Sequence, residues 1–269
     1  MTTVSYRNQT GTGAENYERF FVPAIATPVS GRLLEAAALQ PGERVLDVAC
    51  GTGLIARLAA EQVGPTGTVT GVDVAADMLD LARRVAVSGG APIEWHEGDA
   101  AELPFPDESF DVVTCQMGLM FFDRSAALAE MRRVLAPGGR VVVNTPGTIQ
   151  TPFELMEQAI VDHISADLAG FIRVVFSLPD PDTLGGLLDA AGFADTEANR
   201  YTARFDLPGP AEFLWEYINL TPLGPFVADA PEAAQVAMER QVVEGWQSFV
   251  VDGRTPLDQP MAIATGRRA

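Results

Sequence analysis

The chain of 269 residues contains no lysine: its 18 basic residues are all arginine, set against 36 acidic ones for a formal net charge of −18. Without lysine there is neither a Schiff-base amine nor a phosphate-binding P-loop, whose motif requires one. The deficit of positive charge argues against a nucleic-acid partner, because phosphate neutralisation needs a basic surface. Most of the acidity reads as solvated surface. Cysteine is scarce as well: Cys50 and Cys115 make no disulfide framework and read as small buried fillers near strand ends. The two histidines, His96 and His163, show no metal-site spacing with each other or with the cysteines, so no metal is expected. No apolar run approaches the roughly 20 residues of a membrane span. Met1–Arg7 has none of the features of a signal peptide, and a cytoplasmic location is expected. There is no internal repeat, low-complexity tract or inter-domain linker.

At 47% hydrophobic residues, the chain can bury the core of one large α/β domain. Its most informative stretch is Arg44–Ala56, RVLDVACGTGLIA. Val45, Leu46, Val48 and Ala49 suit a parallel strand covered on both faces. Gly51 and Gly53 form a turn that lets backbone approach a ligand. The following helix presents amide N–H groups that have no helical partner and favour an anionic ligand group. Gly51-x-Gly53-x-x-Ala56 also fits a relaxed dinucleotide fingerprint, as in an NAD(P)-dependent oxidoreductase. The acids separate the two possibilities. Asp47 lies in the first strand, Asp73 ends the second (67–73), and Asp99 ends the third (92–100). Three carboxylates at one sheet edge repel a pyrophosphate and suit a cationic, phosphate-free nucleotide.

The remaining pattern alternates strand and helix, as a parallel sheet with crossover helices requires. Helices are expected over 54–63, 75–87 and 124–135, the last capped by Asp123 and stopped by Pro137-Gly138-Gly139. Strands are expected over 110–117 and 140–145. Near the N-terminus, 1–13 reads as flexible. Tyr17, Phe20 and Phe21 mark a short helix interrupted by Pro23 and Pro28, and a second helix follows over 31–39. Beyond Pro146, Phe153, Met156, Ile160 and Ile164 mark a helix, with Leu168 as its possible extension, and others are expected over 184–191, 211–219 and 231–249. Late strands are expected over 193–207 and 261–266.

Five pieces in order carry a resemblance: VLDVACGTG (45–53), GVD (71–73), EGDAAELPFPDESFDVV (97–113), QMGLMFF (116–122) and EMRRVLAPGGRVVV (130–143). The chain resembles the S-adenosylmethionine (SAM)-dependent methyltransferases with a Rossmann-like core (class I), of the ubiquinone/menaquinone-biosynthesis type. The resemblance is firm over the first half and loose over the second. It implies a doubly wound, mostly parallel seven-stranded sheet with an antiparallel C-terminal hairpin and a helical roof over the site. The whole chain then forms one SAM-binding domain: an N-terminal cover (1–39), the nucleotide-binding core (40–147), a roof (148–179 and 208–256) and the rest of the core (180–207 and 257–269). SAM is the implied cofactor, with S-adenosylhomocysteine as product. Carried over by position, Asp73 takes the ribose hydroxyls and Asp99 the adenine amine. The Ala100 amide takes adenine N1, and Val74 and Met78 border the adenine. Ala49 and Gln116 carbonyls suit the methionine ammonium, Asp47 orients the loop, and the amides after Gly51, with Gly53, suit the carboxylate.

The implied activity is methyl transfer to a small apolar or aromatic molecule, catalysed by positioning and by exclusion of water. A hydroxyl acceptor would benefit from a base, and histidine is the usual one. His96 reads as structural, which leaves His163; Tyr17, on the N-terminal cover, is the other catalytic candidate. Phe121, Phe122 and Phe153 are the expected apolar substrate contacts. An oxidoreductase would leave Asp47, Asp99 and the later motifs without a purpose. Fold alone does not separate a transferase from a SAM-binding cyclase or binding protein.

Overall fold

A computed structural model describes residues 11–86 and 89–269. Most of the stretch expected to be flexible (1–13), and Val87 at the expected end of a core helix, lie outside the described residues.

Seven strands, β1 (Arg44–Val48), β2 (Thr68–Asp73), β3 (Ile93–Glu97), β4 (Phe110–Gln116), β5 (Leu135–Pro146), β6 (Ala194–Leu207) and β7 (Thr255–Arg267), form one sheet in the order β3-β2-β1-β4-β5-β7-β6. β1 to β5 are parallel and β7 runs antiparallel to β5. The doubly wound sheet and its antiparallel C-terminal hairpin are therefore as expected. Strand order reverses between β1 and β4, and in such sheets ligands bind beyond the carboxyl ends of the strands at that reversal.

The central strands are apolar on both faces, and side chains alternate between two cores. Leu46, Val48, Val113, Cys115, Val141 and Val143 pack with Leu128 and Met131 of α5 (Arg124–Val134) and with Leu184 and Leu188 of α8 (Pro181–Ala190). Their neighbours Val45, Val112 and Val142 pack with Leu33 and Leu34 of α2 (Thr27–Ala37) and with Ile55 and Ala59 of α3 (Leu54–Val63). This period of two is what a strand covered on both sides produces.

The chain divides into two compact units. The first comprises Val29–Thr148, Ser177–Tyr201 and Pro260–Ala269 and contains β1–β5 entire. The second comprises the chain up to Pro28, Ile149–Phe176 and Thr202–Gln259. In the second unit α6 (Thr151–His163), α9 (Pro210–Leu220) and α11 (Glu232–Trp246) surround an aromatic core of Phe153, Phe176, Phe213 and Trp246. The fully buried Trp246 satisfies its indole N–H by donating to Pro152 O at 2.8 Å.

Several expectations need correction. Pro23 does not interrupt its helix: after a short α1 (Gly13–Asn16) the chain forms a π-helix over Tyr17–Ala26 that runs straight through it. The wider turn, seen in the bond from Thr27 N to Val22 O, relieves the clash between the proline ring and the preceding turn. Pro28 does not interrupt it either: the π-helix continues without a break into α2, whose second residue is Pro28. β5 starts at Leu135 and includes the Pro-Gly-Gly segment, with a register shift against Phe110 and Val112. α4 is shorter than expected (Ala76–Arg84), β7 is longer, and α7 (Ala169–Val175) and α10 (Gly224–Ala228) were not anticipated.

Arg140, near the start of the core of β5, joins that strand to the segment before β1. Its guanidinium donates to Ala37 O and Ala38 O and pairs with both oxygens of Glu43 at 2.7 and 2.9 Å. Burial opposes ionisation of Glu43, but the Arg140 guanidinium and the Gln40 amide together outweigh it and hold that carboxyl below its ordinary value. Both side chains are under one-fifth exposed, so removing one partner strands the other. Arg140→Ala is expected to lower stability by about 2–4 kcal/mol, read as a fall in thermal midpoint.

Candidate active site

The site is built at the carboxyl ends of β1, β2 and β4, in the first unit. Asp47 is the fourth residue of β1 and is 1% exposed. Its Oδ2 accepts from the amide of Ala56 in the first turn of α3 at 3.1 Å, and its Oδ1 accepts from Thr114 Oγ1 across β4 at 3.0 Å. The N-cap of α3 is Gly53, which has no side chain to offer, so a strand carboxylate does the capping from below. Burial pushes Asp47 up to about 7, against the two hydrogen bonds that favour the anion.

Asp73 ends β2. Its Oδ2 accepts from Gly51 N at 2.8 Å and its Oδ1 from Ala75 N at 2.9 Å, so a single carboxylate joins the glycine turn to the start of α4. Burial raises its pKa, and the amide bonds offset part of that rise. The Val74 amide favours the anion as well, and the four lone pairs of the carboxylate still leave room for a further donor. Val74, the next residue, is 71% exposed, and Met78 lies one turn further on, half-buried.

The glycine turn carries a constraint the sequence reading missed. Gly53 has φ +89°, and a Cβ there would lie 2.3 Å from the Trp95 ring; a Cβ on Gly71 in β2 would lie 2.6 Å from the same ring. Trp95 of β3, paired with Gly71 in register, fills the space both glycines leave. Gly53 thus serves close packing on an indole as well as the turn. The readable signal was a glycine inside a strand opposite an aromatic residue.

β1 and β4 both end in a left-handed residue without being glycine: Ala49 at φ 55° and Met117 at φ 51°. Such residues are uncommon and cluster at functional sites. Asn144, fully buried in β5, holds Met117 by accepting its amide N–H on both its backbone oxygen (3.0 Å) and its Oδ1 (3.1 Å), while its Nδ2 donates to Tyr201 at 3.2 Å. A Cβ on Gly118 would meet Ala49 Cβ at 2.7 Å, so the two turns abut. Gln116 is half-buried beside them, Phe121 is 52% exposed, and Phe122 is half-buried against the core.

Asp99 departs from expectation. It lies two residues past β3, exposed, in an isolated bridge with Glu102. Its Oδ1 accepts from Ala101 N at 2.8 Å, a local turn that competes with strand continuation. Ala100 beside it is buried. The loop that follows is fastened by α5: Glu130 accepts from Leu103 N, and Arg133 donates to Leu103 O, Phe105 O and Asp107.

Tyr17, Phe153 and His163 belong to the second unit. Tyr17 stacks on Phe21 with ring centroids 4.7 Å apart. Phe153 is 4% exposed within the aromatic core of that unit. His163 Nε2 lies 2.6 Å from Gln241 Oε1, and Gln241 Nε2 donates to Asp162 at 2.9 Å. That orientation of the amide makes His163 Nε2 the donor of this hydrogen bond. Both cysteines are buried free thiols, as expected, and burial pushes Cys115 up to about 12.

A cofactor of the expected kind can be tested against this geometry. The turn contains a buried hydroxyl, Thr52 Oγ1, with no hydrogen-bond partner, and Asp73 has open acceptor positions next to an exposed apolar Val74. Buried acids of raised pKa at the strand tips match a ligand that brings positive charge. The residues present fit a cationic nucleoside.

Comparison with known proteins agrees. A model of a methyltransferase domain matches residues 45–139. The demethylmenaquinone methyltransferase of Deinococcus radiodurans is 40% identical over 172 residues, 59% of this chain and 70% of the relative. That of Thermus thermophilus is 37% identical over 176 residues, 61% of this chain and 80% of the relative. A solved protein of Bacillus halodurans superposes with a TM-score of 0.59 at 25% identity, over 89% of this chain and 98% of its own.

The raised pKa of Asp47 fixes the sign of a pH effect. Between the unfolded value near 4 and the folded value of about 7, the native state holds a proton that the unfolded chain has lost. Stability from this group is therefore full at low pH and declines as pH rises through that window. With no nucleotide bound, the stability of Asp47→Asn relative to the parent should increase from pH 5 to pH 8 by on the order of 2–3 kcal/mol, measured by urea unfolding at each pH.

Proposed function

We propose, since the chain belongs to the class I SAM-dependent methyltransferases, that its methyl acceptor is a small molecule presenting an apolar or aromatic ring. The enzyme transfers the methyl group of SAM; what is proposed is the acceptor and the residue roles. SAM, when bound, supplies an electrophilic methyl group on a sulfonium centre.

The chain's own residues have binding and positioning to do. Asp73 is assigned to the two adjacent ribose hydroxyls, which its remaining lone pairs can accept while its bonds to Gly51 and Ala75 keep it fixed. Val74 and Met78 are assigned to the faces of the adenine ring, and Asp99 with the Ala100 amide to its polar edge. Ala49 and Gln116 are assigned to the methionine ammonium through their backbone carbonyls. The Gly51–Gly53 turn receives the methionine carboxylate on the amides at the start of α3. Asp47 acts from beneath, by holding that helix start through Ala56.

The single observation that carries the assignment is the Asp73 bridge, because it fixes a carboxylate with remaining acceptor capacity on the strand next to the switch point. Phe121 and Phe122 are assigned to the acceptor: they follow the strained Met117 turn, and Phe121 exposes an aromatic face. The relatives from D. radiodurans and T. thermophilus, named demethylmenaquinone methyltransferases, support a quinone-type ring as the first acceptor to try.

Two measurements test this. Asp73→Ala should weaken SAM binding at least 100-fold by calorimetry in a protein that keeps its circular dichroism, since each charge-assisted hydrogen bond contributes roughly 1.5–3 kcal/mol. Unchanged affinity in a folded variant would remove Asp73 from the site. Incubation with SAM and either a demethylated reduced quinone or a cell metabolite extract should give, by mass spectrometry, a product one methyl group heavier together with S-adenosylhomocysteine.

A further inference from the structure

The second unit contains an open cavity of about 370 Å³ that none of the roles above employs. Its walls include Arg19, Phe20 and Pro23 of the π-helix, Arg254 before β7, and Glu212 and Glu216 of α9. All of these residues belong to that one unit.

The charges around it do not balance locally. Arg254 is committed to Asp206 at 2.6 Å, and Arg204, which also faces the cavity, to Asp258 at 2.7 Å. Arg19 donates to Asn16 at 3.1 Å and lies over the Phe20 ring, 4.3 Å from its centroid. Glu212 and Glu216 have no hydrogen-bond or ion-pair partner among the described residues. They stand four residues apart on one helix, hence on one face. Glu216 is only 6% exposed as a residue, and its carboxylate faces this space with no protein partner among the described residues. The charge that is missing is positive.

The missing cation is not a metal ion. Two carboxylates fall short of a metal donor set, and no group of three or more such ligands occurs among the described residues. The cavity also exceeds what a bare ion fills, and Phe20, Pro23 and Ala24 give it an apolar wall. We propose that this cavity binds a small organic ammonium ion, its nitrogen held between Glu212 and Glu216 and its carbon body against Phe20 and Pro23.

Burial pushes Glu216 up to about 7, Glu212 pushes it the same way, and Arg19 and Arg254 pull it back. Asp206 and Arg204 also face the space, each already paired. An ammonium ion needs the ionised carboxylate. Raising the pH from 6 to 8 takes Glu216 from about one-tenth to about nine-tenths ionised, which strengthens apparent binding about tenfold.

The test uses the full chain and a matched pair of probes, tyramine and its uncharged analogue 4-ethylphenol, by titration calorimetry. Tyramine should bind at least tenfold more tightly than 4-ethylphenol, and about tenfold more tightly at pH 8 than at pH 6. Glu216→Gln should weaken tyramine at least tenfold and abolish the pH dependence, while its affinity for SAM stays unchanged. Equal affinity for the two probes, no measurable tyramine binding, or pH dependence that survives in Glu216→Gln would each overturn the proposal. Should that variant lose its native circular dichroism, Glu212→Gln decides instead: weaker tyramine binding supports the site and unchanged binding rejects it. The SAM titration is a separate arm, so failure of the ammonium site and failure of the methyltransferase assignment read differently.

Discussion

One carboxylate joining two loops organises the ligand edge of the sheet. With one oxygen Asp73 holds the amide of Gly51, and with the other the amide of Ala75, so the glycine turn and the entry to α4 cannot move independently. Asp47 grips the same turn from the opposite side through Ala56 and is itself steadied by Thr114. Both acids are ionisable groups that burial disfavours in their charged form. A fold that concentrates such groups at one edge is electrostatically incomplete, and a positively charged ligand completes it.

The geometry is maintained by elements that individually oppose folding. Ala49 and Met117 adopt left-handed backbone at the ends of the two central strands, a conformation that costs on the order of 1–2 kcal/mol for a residue with a Cβ. Asn144 secures Met117 through its backbone and its side chain, and the turn of Gly118 packs onto Ala49. Arg133 and Glu130 do the same for the loop after Asp99. These restraints come from neighbouring strands and helices, so the loops arrive already shaped for a ligand, which lowers the ordering cost of binding.

Much of this was legible in the residues. The buried strands announced themselves as apolar runs, α3 through its helical spacing, and α5 through Asp123 at its cap and apolar residues inside. Asp73 was legible as an acid at a strand tip. What escaped notice depends on partners distant in sequence. Thr114 and Asn144 look like ordinary strand residues until β1, β4 and β5 are set side by side. Asp99 was placed one element too early because its local turn with Ala101 leaves no periodic trace. Pro23 misled for a different reason: helix rules assume a 3.6-residue turn, and the chain took a wider one.

The packing of Trp95 on Gly53 and Gly71 carries one more consequence. Of the three tryptophans, Trp215 and Trp246 are nearly closed to solvent and belong to the other unit, whereas Trp95 is partly open. A collisional quencher of fluorescence such as acrylamide therefore reaches Trp95 ahead of the other two. The quenchable share of the emission becomes an intrinsic gauge of how tightly the turn is closed, with no dye attached and no residue replaced.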